Sequence, residues 1–337
     1  MRKKHFLFAS VLALLCGSST LHAQDFKLTS SGYFKNQGVD VMAFDDIYPE
    51  GHQGGVCIIM NGHRVATNGD IRLEATPGQW QPVPKQLDRK LGDNSITATL
   101  CYPDSSRHLT GFNPMIYPDL HLIYTVNVES KGKNIEVTVD LDRPIPQEFI
   151  GKVGFNLEFF PGSLFGKPWI MDGQSGIFPQ QPNSPLMTTQ PNYLHTGNYH
   201  DGKKSLADMN KLIGKGYSPI VADDIISEPY AKGTKFTSRP DDPYNKVTIE
   251  SLSGDLQLFD GRMNHNNGWF VLRSNIKPGV TKGAVKWIIT PNVVADWMYQ
   301  PVIQTSQIGY HPTQDKEAVI EMDIRDNRKE TAQIIRI

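Results

Sequence analysis

The sequence predicts an all-β chain, and three observations lead to that prediction. Glycine and proline together account for 52 of the 337 residues, an excess that is typical of a chain with many turns. Apolar and polar residues alternate along several segments, which is the period of a strand with one buried face. Two Asn-Gly pairs separate such segments, and Asn-Gly favours hairpin turns because both residues tolerate a positive φ.

The composition excludes several other classes of protein. The chain has 34 basic and 35 acidic residues and a formal charge of −1, so it lacks the basic surplus of a nucleic-acid-binding module. Its 39% hydrophobic and 20% charged residues allow a buried core and exclude a disordered chain, a coiled coil and a polytopic membrane protein. We expect no nucleic-acid partner, no membrane span and no cofactor.

The amino terminus has the pattern of a secretory signal peptide over residues 1–23. Basic residues at 2–4 precede an apolar stretch at 6–15, and a cut is expected after Ala23. The apolar stretch is shorter than the ~20 residues that span a bilayer. A leucine precedes Cys16 where a lipoprotein has a small residue, so an outer-membrane lipid anchor is less favoured. We expect a secreted or periplasmic protein with 31 bases and 35 acids after cleavage.

The strands follow from the alternation in chain order. A β-meander is predicted over 56–60, 64–67 and 71–75, with Asn61-Gly62 and Asn68-Gly69 as its two hairpin turns. Residues 120–128 and 135–141 alternate on either side of a polar turn and predict a further hairpin. Later strands are predicted at 246–252, 256–259, 269–273 and 284–290.

Two segments depart from the strand pattern. Residues 205–215 are predicted to be helical, since their apolar residues form one stripe and Gly214 supplies a stop. Residues 172–204 are rich in Gly, Pro, Asn and Gln and show no periodicity. A loop of that length is usually functional or packed across a sheet edge.

The two cysteines of the mature chain, Cys57 and Cys101, lie in apolar strand-like runs. A disulfide between them is compatible with an oxidising compartment, but two cysteines are no disulfide framework. Free thiols that act as small hydrophobes are the favoured interpretation.

A domain boundary is predicted near residues 291–301. The chain then divides into a signal peptide at 1–23, a main domain at 24–300 and a new unit at 301–337. Alternate apolar residues at 318–324 predict a strand in that unit. Two or three strands cannot bury a sandwich core, so we expect this unit to be the start of an incomplete domain.

Three tryptophans are candidate carbohydrate-binding residues. Trp80, Trp169 and Trp269 all lie in turns that are flanked by glycine, proline or polar residues. A flat ring in such a turn can stack on the apolar C–H face of a sugar. Core packing is the alternative interpretation for each of them.

A catalytic site on the main domain would need titratable side chains that converge, and His195, His265 and Glu158 are the candidates. Glu158 lies among aromatic residues, which raise the pKa of a carboxyl group when they bury it. A solvent-facing strand position is the alternative for this residue. His195 and His200 match no zinc spacing, so no metal site is expected.

The segment 302–319 resembles the start of the immunoglobulin-like module that precedes the catalytic domain in glycoside hydrolase family 9, the cellulase-type enzymes. The module's hallmark is Asn-Gln-Val-Gly-Tyr-x-Pro followed by Lys-x-Ala-Val. This chain has Gln307-Ile308-Gly309-Tyr310-His311-Pro312 and Lys316-Glu317-Ala318-Val319, with Ser306 in the place of the asparagine.

Residues 37–84 and 155–178 resemble the amino-terminal region of secreted family 9 proteins from gut-type Bacteroidetes. This resemblance implies a β-supersandwich of the galactose-mutarotase-like kind, followed by a truncated immunoglobulin-like β-sandwich. The family's catalytic domain is an (α/α)6 barrel with an Asp-x-Gly-Asp type motif and a distant glutamate. No Asp-Ala-Gly-Asp run occurs here, so no catalytic residue is assigned.

The resulting expectation is the non-catalytic, amino-terminal portion of a secreted glycoside hydrolase that acts on β-glucan-type plant polysaccharides. Its partners would be the polysaccharide and the catalytic barrel of the same protein. A mutarotase-like or lyase-like enzyme on the β-supersandwich is one alternative. A stand-alone glycan-binding protein is the other.

Overall fold

The computed structural model describes residues 25–45, 54–74, 77, 83–106, 118–182, 187–189, 225–264 and 268–328. These ranges consist of strands, short 3-10 turns and loops, so the all-β prediction is confirmed. No helix within them has the length and apolar character that crossing a bilayer would take. The helix predicted at 205–215 lies outside the described residues.

The strands are numbered along the chain. They are β1 (Lys27–Leu28), β2 (Phe34–Asn36), β3 (Val39–Ala43), β4 (Val56–Met60), β5 (His63–Leu73), β6 (Lys85–Leu91), β7 (Ser95–Tyr102), β8 (Leu122–Lys131), β9 (Asn134–Leu141), β10 (Val153–Phe159), β11 (Pro168–Met171), β12 (Gln174–Ile177), β13 (Met187–Thr189), β14 (Ile225–Ser227), β15 (Ala231–Gly233), β16 (Lys235–Ser238), β17 (Val247–Ser251), β18 (Leu256–Asp260), β19 (Phe270–Asn275), β20 (Val285–Pro291), β21 (Val302–Gln304) and β22 (Val319–Glu321).

Two nine-stranded sheets make up most of the part of the chain that the structure describes. The strand order of the first is β1-β2-β3-β4-β5-β10-β19-β18-β15, and that of the second is β12-β11-β16-β17-β20-β9-β8-β7-β6. The Phe155 ring of β10 meets the Trp287 ring of β20 with centroids 5.1 Å apart. The sheets therefore share one core, and the predicted β-sandwich is confirmed.

The hairpin of β8 and β9 shows how the alternation builds this core. Val126 pairs with Val139, and Val128 pairs with Val137. All four side chains are fully buried, while the polar residues between them stay partly exposed. Each such valine contributes roughly 1.5–3 kcal/mol through removal of its apolar surface from water. The predicted strands at 246–252, 256–259, 269–273 and 284–290 correspond to β17, β18, β19 and β20.

The predicted meander is partly wrong, because only the first Asn-Gly pair forms a hairpin turn. Asn61 and Gly62 both have positive φ, at 53° and 81°, as the turn between β4 and β5 requires. At the second pair, Asn68 alone has a positive φ, at 54°. This pair lies inside the continuous strand β5, where the pairing with β10 is irregular. Asn68-Gly69 is therefore a bulge, and the two short strands predicted on either side of it are one.

The prediction of an unbroken loop over 172–204 is also corrected. Residues 174–177 form β12, which pairs with β11 at one edge of the second sheet. Residues 187–189 form β13, which pairs with β14 in a separate two-stranded sheet. Short strands of this kind escape a search for alternation because three or four residues are too few to show a period.

The opposite edge of the second sheet is β6, which the alternation did not reveal. Its residues are mostly exposed, and Lys90 forms an ion pair with Asp88 at 2.7 Å. The pairing of β6 with β7 is irregular between Gln86 and Asp88. The Arg89 side chain crosses to the first sheet, where its Nε donates to the Ala43 carbonyl at 2.9 Å.

The last described strands, β21 and β22, form a two-stranded sheet apart from the two large ones. Its apolar side chains are exposed; Ile303 and Val319 are 63% and 64% exposed.

Cys57 is buried, Cys101 is partly buried, and neither takes part in a disulfide. The structure therefore agrees with the favoured interpretation, in which the two thiols are not joined.

Candidate functional site

The three predicted carbohydrate-binding tryptophans have different surroundings. Trp80 lies outside the described residues. Trp169 is in β11 and is only 5% exposed, and its indole packs so closely on Gly176 that a Cβ there would lie 2.5 Å from the ring. No ring face of Trp169 is open to a sugar, so the stacking role predicted for this residue does not fit the structure.

Trp269 is half-buried and lies directly before β19. Strands β10 and β19 are antiparallel, and their last ladder pair is Phe159 with Phe270. The next residue on each strand is therefore Phe160 or Trp269, and these two lie side by side. Their ring centroids are 5.1 Å apart at an interplanar angle of 71°, and Phe160 is 46% exposed. Phe160 was not among the candidates predicted from the sequence, because its position beside Trp269 depends on the pairing of two distant strands.

A third exposed ring belongs to Phe165, which is 38% exposed. It packs on Phe270 of the core, with the two rings 6.4 Å apart. We call Phe160 and Trp269 the aromatic patch. Backbone hydrogen bonds hold both members, since Phe160 N–H donates to the Val65 carbonyl at 3.2 Å and Gly261 N–H donates to the Trp269 carbonyl at 2.9 Å.

Arg262 packs on Phe165 and on Phe270, the residue that follows Trp269. Its guanidinium carbon lies 5.1 Å from the centroid of the Phe165 ring and 4.6 Å from that of Phe270. Two of its nitrogens donate to the Asp260 carboxylate at 2.8 Å, and a third donates to the Gln180 carbonyl at 2.9 Å. A cation over an aromatic face is attracted by the ring quadrupole. Arg262 therefore holds the Phe165 and Phe270 rings in place, and its charge is paired with Asp260.

Glu158, the candidate acid, is buried in β10 with 3% of its surface exposed. The alternative of a solvent-facing strand position is therefore wrong. Asn68 Nδ2 donates to Glu158 Oε2 at 2.7 Å, and the carboxylate lies close enough to Arg72 to raise that residue's pKa. Asn68 takes part in this contact from the bulge in β5, which places its side chain beside Glu158.

A set of charged and amide side chains continues from Glu158 along β5, β10 and β19. We call Asp70, Arg72, Glu74, Asn156 and Arg273 the buried polar cluster, since each is at most 6% exposed. Arg273 Nη1 donates to Glu74 Oε1 at 3.0 Å, and Asn156 Nδ2 donates to the same oxygen at 2.6 Å. A buried charge is tolerated only with such partners.

Burial and the neighbouring charges of this cluster shift the pKa values of its members. Burial favours the neutral form of Arg72, but the carboxylates of Glu158, Asp70 and Glu74 outweigh it and raise the Arg72 pKa above its usual range. Burial raises the pKa of Asp70 to about 6, although Arg72 and the Tyr124 hydroxyl oppose that change. Tyr124 lies on the opposite sheet, and its hydroxyl donates to Asp70 Oδ1 at 2.7 Å.

The two histidines that were named as catalytic candidates with Glu158, His195 and His265, lie outside the described residues. So does His200, which with His195 matches no zinc spacing. In the described part of the chain, no three His, Cys, Asp or Glu side chains converge in a way that could hold a metal ion. What the structure brings together is thus the aromatic patch at the surface and the buried polar cluster on the same strands, β5, β10 and β19.

Comparisons with known proteins assign no family. A scan against protein-family models and a search of curated proteins both found no match to the chain. Among solved structures, the Slr1438 protein from Synechocystis sp. PCC 6803 is similar over 86% of this chain and 100% of its own, with 12% identity and a TM-score of 0.31. HI1317 is similar over 80% of this chain and 99% of its own, with 8% identity and a TM-score of 0.28. Likenesses at this level carry no argument about activity.

Proposed function

We propose that this chain is the non-catalytic, amino-terminal portion of a secreted glycoside hydrolase that acts on β-glucan-type polysaccharides, and that the aromatic patch contacts the glycan. The observation that carries the proposal is the pair of rings at Phe160 and Trp269. They lie side by side at the ends of paired strands, and Phe160 is nearly half exposed. Large aromatic side chains that stay exposed on a rigid scaffold are typical of binding surfaces.

The rigidity of the patch favours glycan binding. Side chains that are already fixed lose little conformational entropy when a ligand arrives. Phe160 follows a fully buried strand, and Arg262 holds the neighbouring rings through the Asp260 carboxylate. A neutral glucan also needs no charged partner, and the exposed surface of the patch is aromatic.

The resemblance of residues 302–319 to the immunoglobulin-like module of family 9 enzymes supports the rest of the proposal. In the structure this segment begins with β21 and ends at the first residue of β22, and the sheet of these two strands has exposed apolar side chains. An immunoglobulin-like sandwich would cover such a face with its second sheet. The catalytic (α/α)6 barrel would then follow that module in the same protein.

Affinity electrophoresis in gels that contain xyloglucan, mixed-linkage glucan or carboxymethylcellulose tests the glycan contact. We expect at least one glucan to retard the parent chain, and we expect Trp269→Ala and Phe160→Ala each to reduce that retardation severalfold. Leu87→Ala is the matched control, because Leu87 is 49% exposed on β6 and lies on the other sheet. Equal retardation of all four proteins would contradict the role of the patch.

A second function, a complete carbohydrate enzyme, is favoured by one observation: Glu158 is a buried carboxylate beside Arg72. Buried acids with charged neighbours are common at catalytic sites, although structural networks perturb pKa values in the same way. Assays of the purified chain on the same three glucans separate the two functions. Our proposal predicts no turnover, and turnover that Glu158→Gln abolishes would replace it with the enzymatic function.

A further inference from the structure

A groove of about 630 Å³ lies between the first strands of the chain and the segment that follows the sandwich. One wall is formed by residues of β1, β2 and β3, and the other by residues 297–325. This volume falls within the ~300–1,000 Å³ that small-molecule sites usually have. The groove shares no lining residue with the aromatic patch.

Two aromatic rings form an apolar wall of the groove. The rings of Trp297 and Tyr299 have centroids 5.8 Å apart and are nearly perpendicular, at 86°. Trp297 lies against Gly38, where a Cβ would be 2.6 Å from the ring. Its carbonyl accepts hydrogen bonds from Gln37 Nε2 at 2.5 Å and from Arg325 Nη2 at 2.6 Å. The indole is therefore fixed from both sides of the groove.

Polar side chains from three neighbouring strands line the groove beside this wall. Lys27 of β1 is directly opposite Lys35 of β2, and Lys35 is directly opposite Asp40 of β3. Like charges in directly opposite positions destabilise a sheet, so the pairing of Lys27 with Lys35 brings no folding advantage. Asp40 Oδ1 is buried and has no hydrogen-bond partner. An unsatisfied carboxylate oxygen lowers the stability of the fold, and a ligand hydroxyl that donates to the Asp40 carboxylate would offset that loss.

The charges that line the groove indicate the class of ligand. Arg325 is held by Asp323, with contacts of 2.9 and 2.7 Å, and Gln304 Nε2 donates to Glu321 at 2.7 Å. The remaining charged groups of the lining are Lys27, Lys35, Asp25, Asp40 and Glu321, since the Gln304 amide that contacts Glu321 is neutral. Two cations and three anions leave one net negative charge, so an anionic ligand gains no net attraction. A ligand rich in hydroxyl groups can accept from the lysines and donate to the carboxylates.

We infer that this groove binds a neutral saccharide unit, whose apolar face packs on the Trp297 and Tyr299 rings and whose hydroxyl groups donate to the Asp40 carboxylate. Lys27 and Lys35 donate to its oxygens. The inference is independent of the aromatic patch, because no residue is common to the two sites.

Titration with cellobiose, followed through the indole N–H signals of the ¹⁵N-labelled full chain, tests this site. We expect the Trp297 signal, assigned with Trp297→Phe, to move with saturation. We expect Asp40→Ala to weaken binding about tenfold and Tyr299→Ala to weaken it further. Asp40 Oδ1 has no partner in the free chain, so Asp40→Ala should not lower the melting temperature. Asp241→Ala, which removes an exposed carboxylate elsewhere, is the matched control.

The outcomes separate this site from the proposed function. Movement of the Trp297 signal that survives Trp269→Ala and weakens in Asp40→Ala supports the groove, whether or not the patch retards glucans. No movement of that signal up to the solubility limit of cellobiose would overturn the inference. An unchanged affinity in Asp40→Ala would overturn the role of the carboxylate, and tighter binding of glucosamine or of glucuronate than of glucose would overturn the choice of a neutral ligand.

Discussion

Asp70 shows how a single buried carboxylate can set the pH response of this fold. It is 2% exposed, and one of its oxygens accepts hydrogen bonds from the Tyr124 hydroxyl and from the Ile71 backbone, both at 2.7 Å. Burial nevertheless dominates and raises its pKa from 3.8 to about 6. The folded chain therefore holds a proton on Asp70 at a pH where the unfolded chain has lost it.

The pH dependence follows from this difference. The stabilisation by the protonated acid is complete below about pH 4 and is lost as the pH rises through 6. An asparagine at position 70 resembles the protonated carboxyl group, carries no charge, and can still accept a hydrogen bond from the Tyr124 hydroxyl. We expect the unfolding free energy of the parent, measured against that of Asp70→Asn, to fall by roughly 2 kcal/mol between pH 4 and pH 7, since a tenfold change in proton affinity is about 1.4 kcal/mol and the unfolded carboxyl is already partly ionised at pH 4.

Urea denaturation of both proteins across that pH range measures the effect. Asp241→Asn is the control, because Asp241 is exposed and its substitution should leave the pH profile of the parent unchanged. A difference between the parent and Asp70→Asn that stays constant from pH 4 to pH 7 would show that the Asp70 carboxyl is not held protonated.

At the scale of elements, the two Asn-Gly pairs explain where the sequence could and could not predict the fold. The alternation located β8, β9, β17 and β20 because burial of one face has a period of two residues. It could not separate the turn at Asn61 from the bulge at Asn68, since both asparagines have a φ near +54°. The residue after each differs: Gly62 has a positive φ and Gly69 does not. That choice is set by the pairing of β5 with β10, which is more than 80 residues away in sequence.

The close packing at the bulge predicts that one added methyl group at Gly69 destabilises the fold. A Cβ at Gly69 would lie 2.6 Å from the Val56 Cβ on the adjacent strand. Overpacking of this kind typically costs about 1–3 kcal/mol, so we expect Gly69→Ala to lower the unfolding free energy by that amount. Gly173→Ala is the matched control, because a Cβ at Gly173 has nothing within 4 Å. Chemical denaturation of the two variants that gave equal stabilities would contradict the tight contact between β4 and β5.

At the scale of the whole molecule, the site was harder to predict than the fold. Trp269 was a candidate because it follows a polar turn, whereas its neighbour Phe160 comes from a strand about 110 residues earlier. The burial of Trp169 depends on the close approach of Gly176 across a hairpin. The sequence contains only a weak indication of the buried polar cluster, namely that Asp70, Arg72 and Glu74 alternate with apolar residues. The same pattern describes an ordinary solvent-facing strand.

Removal of residues 301–337 tests whether the sandwich folds stably without the last part of the chain. Ile303, Val319 and Ile320 are between 47% and 64% exposed, so β21 and β22 bury little apolar surface. We expect the shortened chain to keep a cooperative thermal transition within a few degrees of the parent, as followed by near-ultraviolet circular dichroism. It should lose cellobiose binding, because Arg325 and Asp323 leave the groove.

A longer deletion, of residues 285–337, is the control. It removes β20 from between β17 and β9 in the second sheet, and we expect it to prevent folding. Loss of the cooperative transition in the shorter deletion as well would show that residues 301–337 are part of the folding unit of the sandwich.

The edge strand β6 of the second sheet affects how the protein behaves at high concentration. An uncovered edge offers its amide and carbonyl groups to strands of other molecules, which is how fibrils and edge-to-edge aggregates begin. On β6 a stacking strand would have to desolvate Lys85, Asp88 and Lys90 and follow the irregular backbone at Gln86. This edge therefore works against self-association, so a concentrated solution of the chain gains no nucleus for aggregation there.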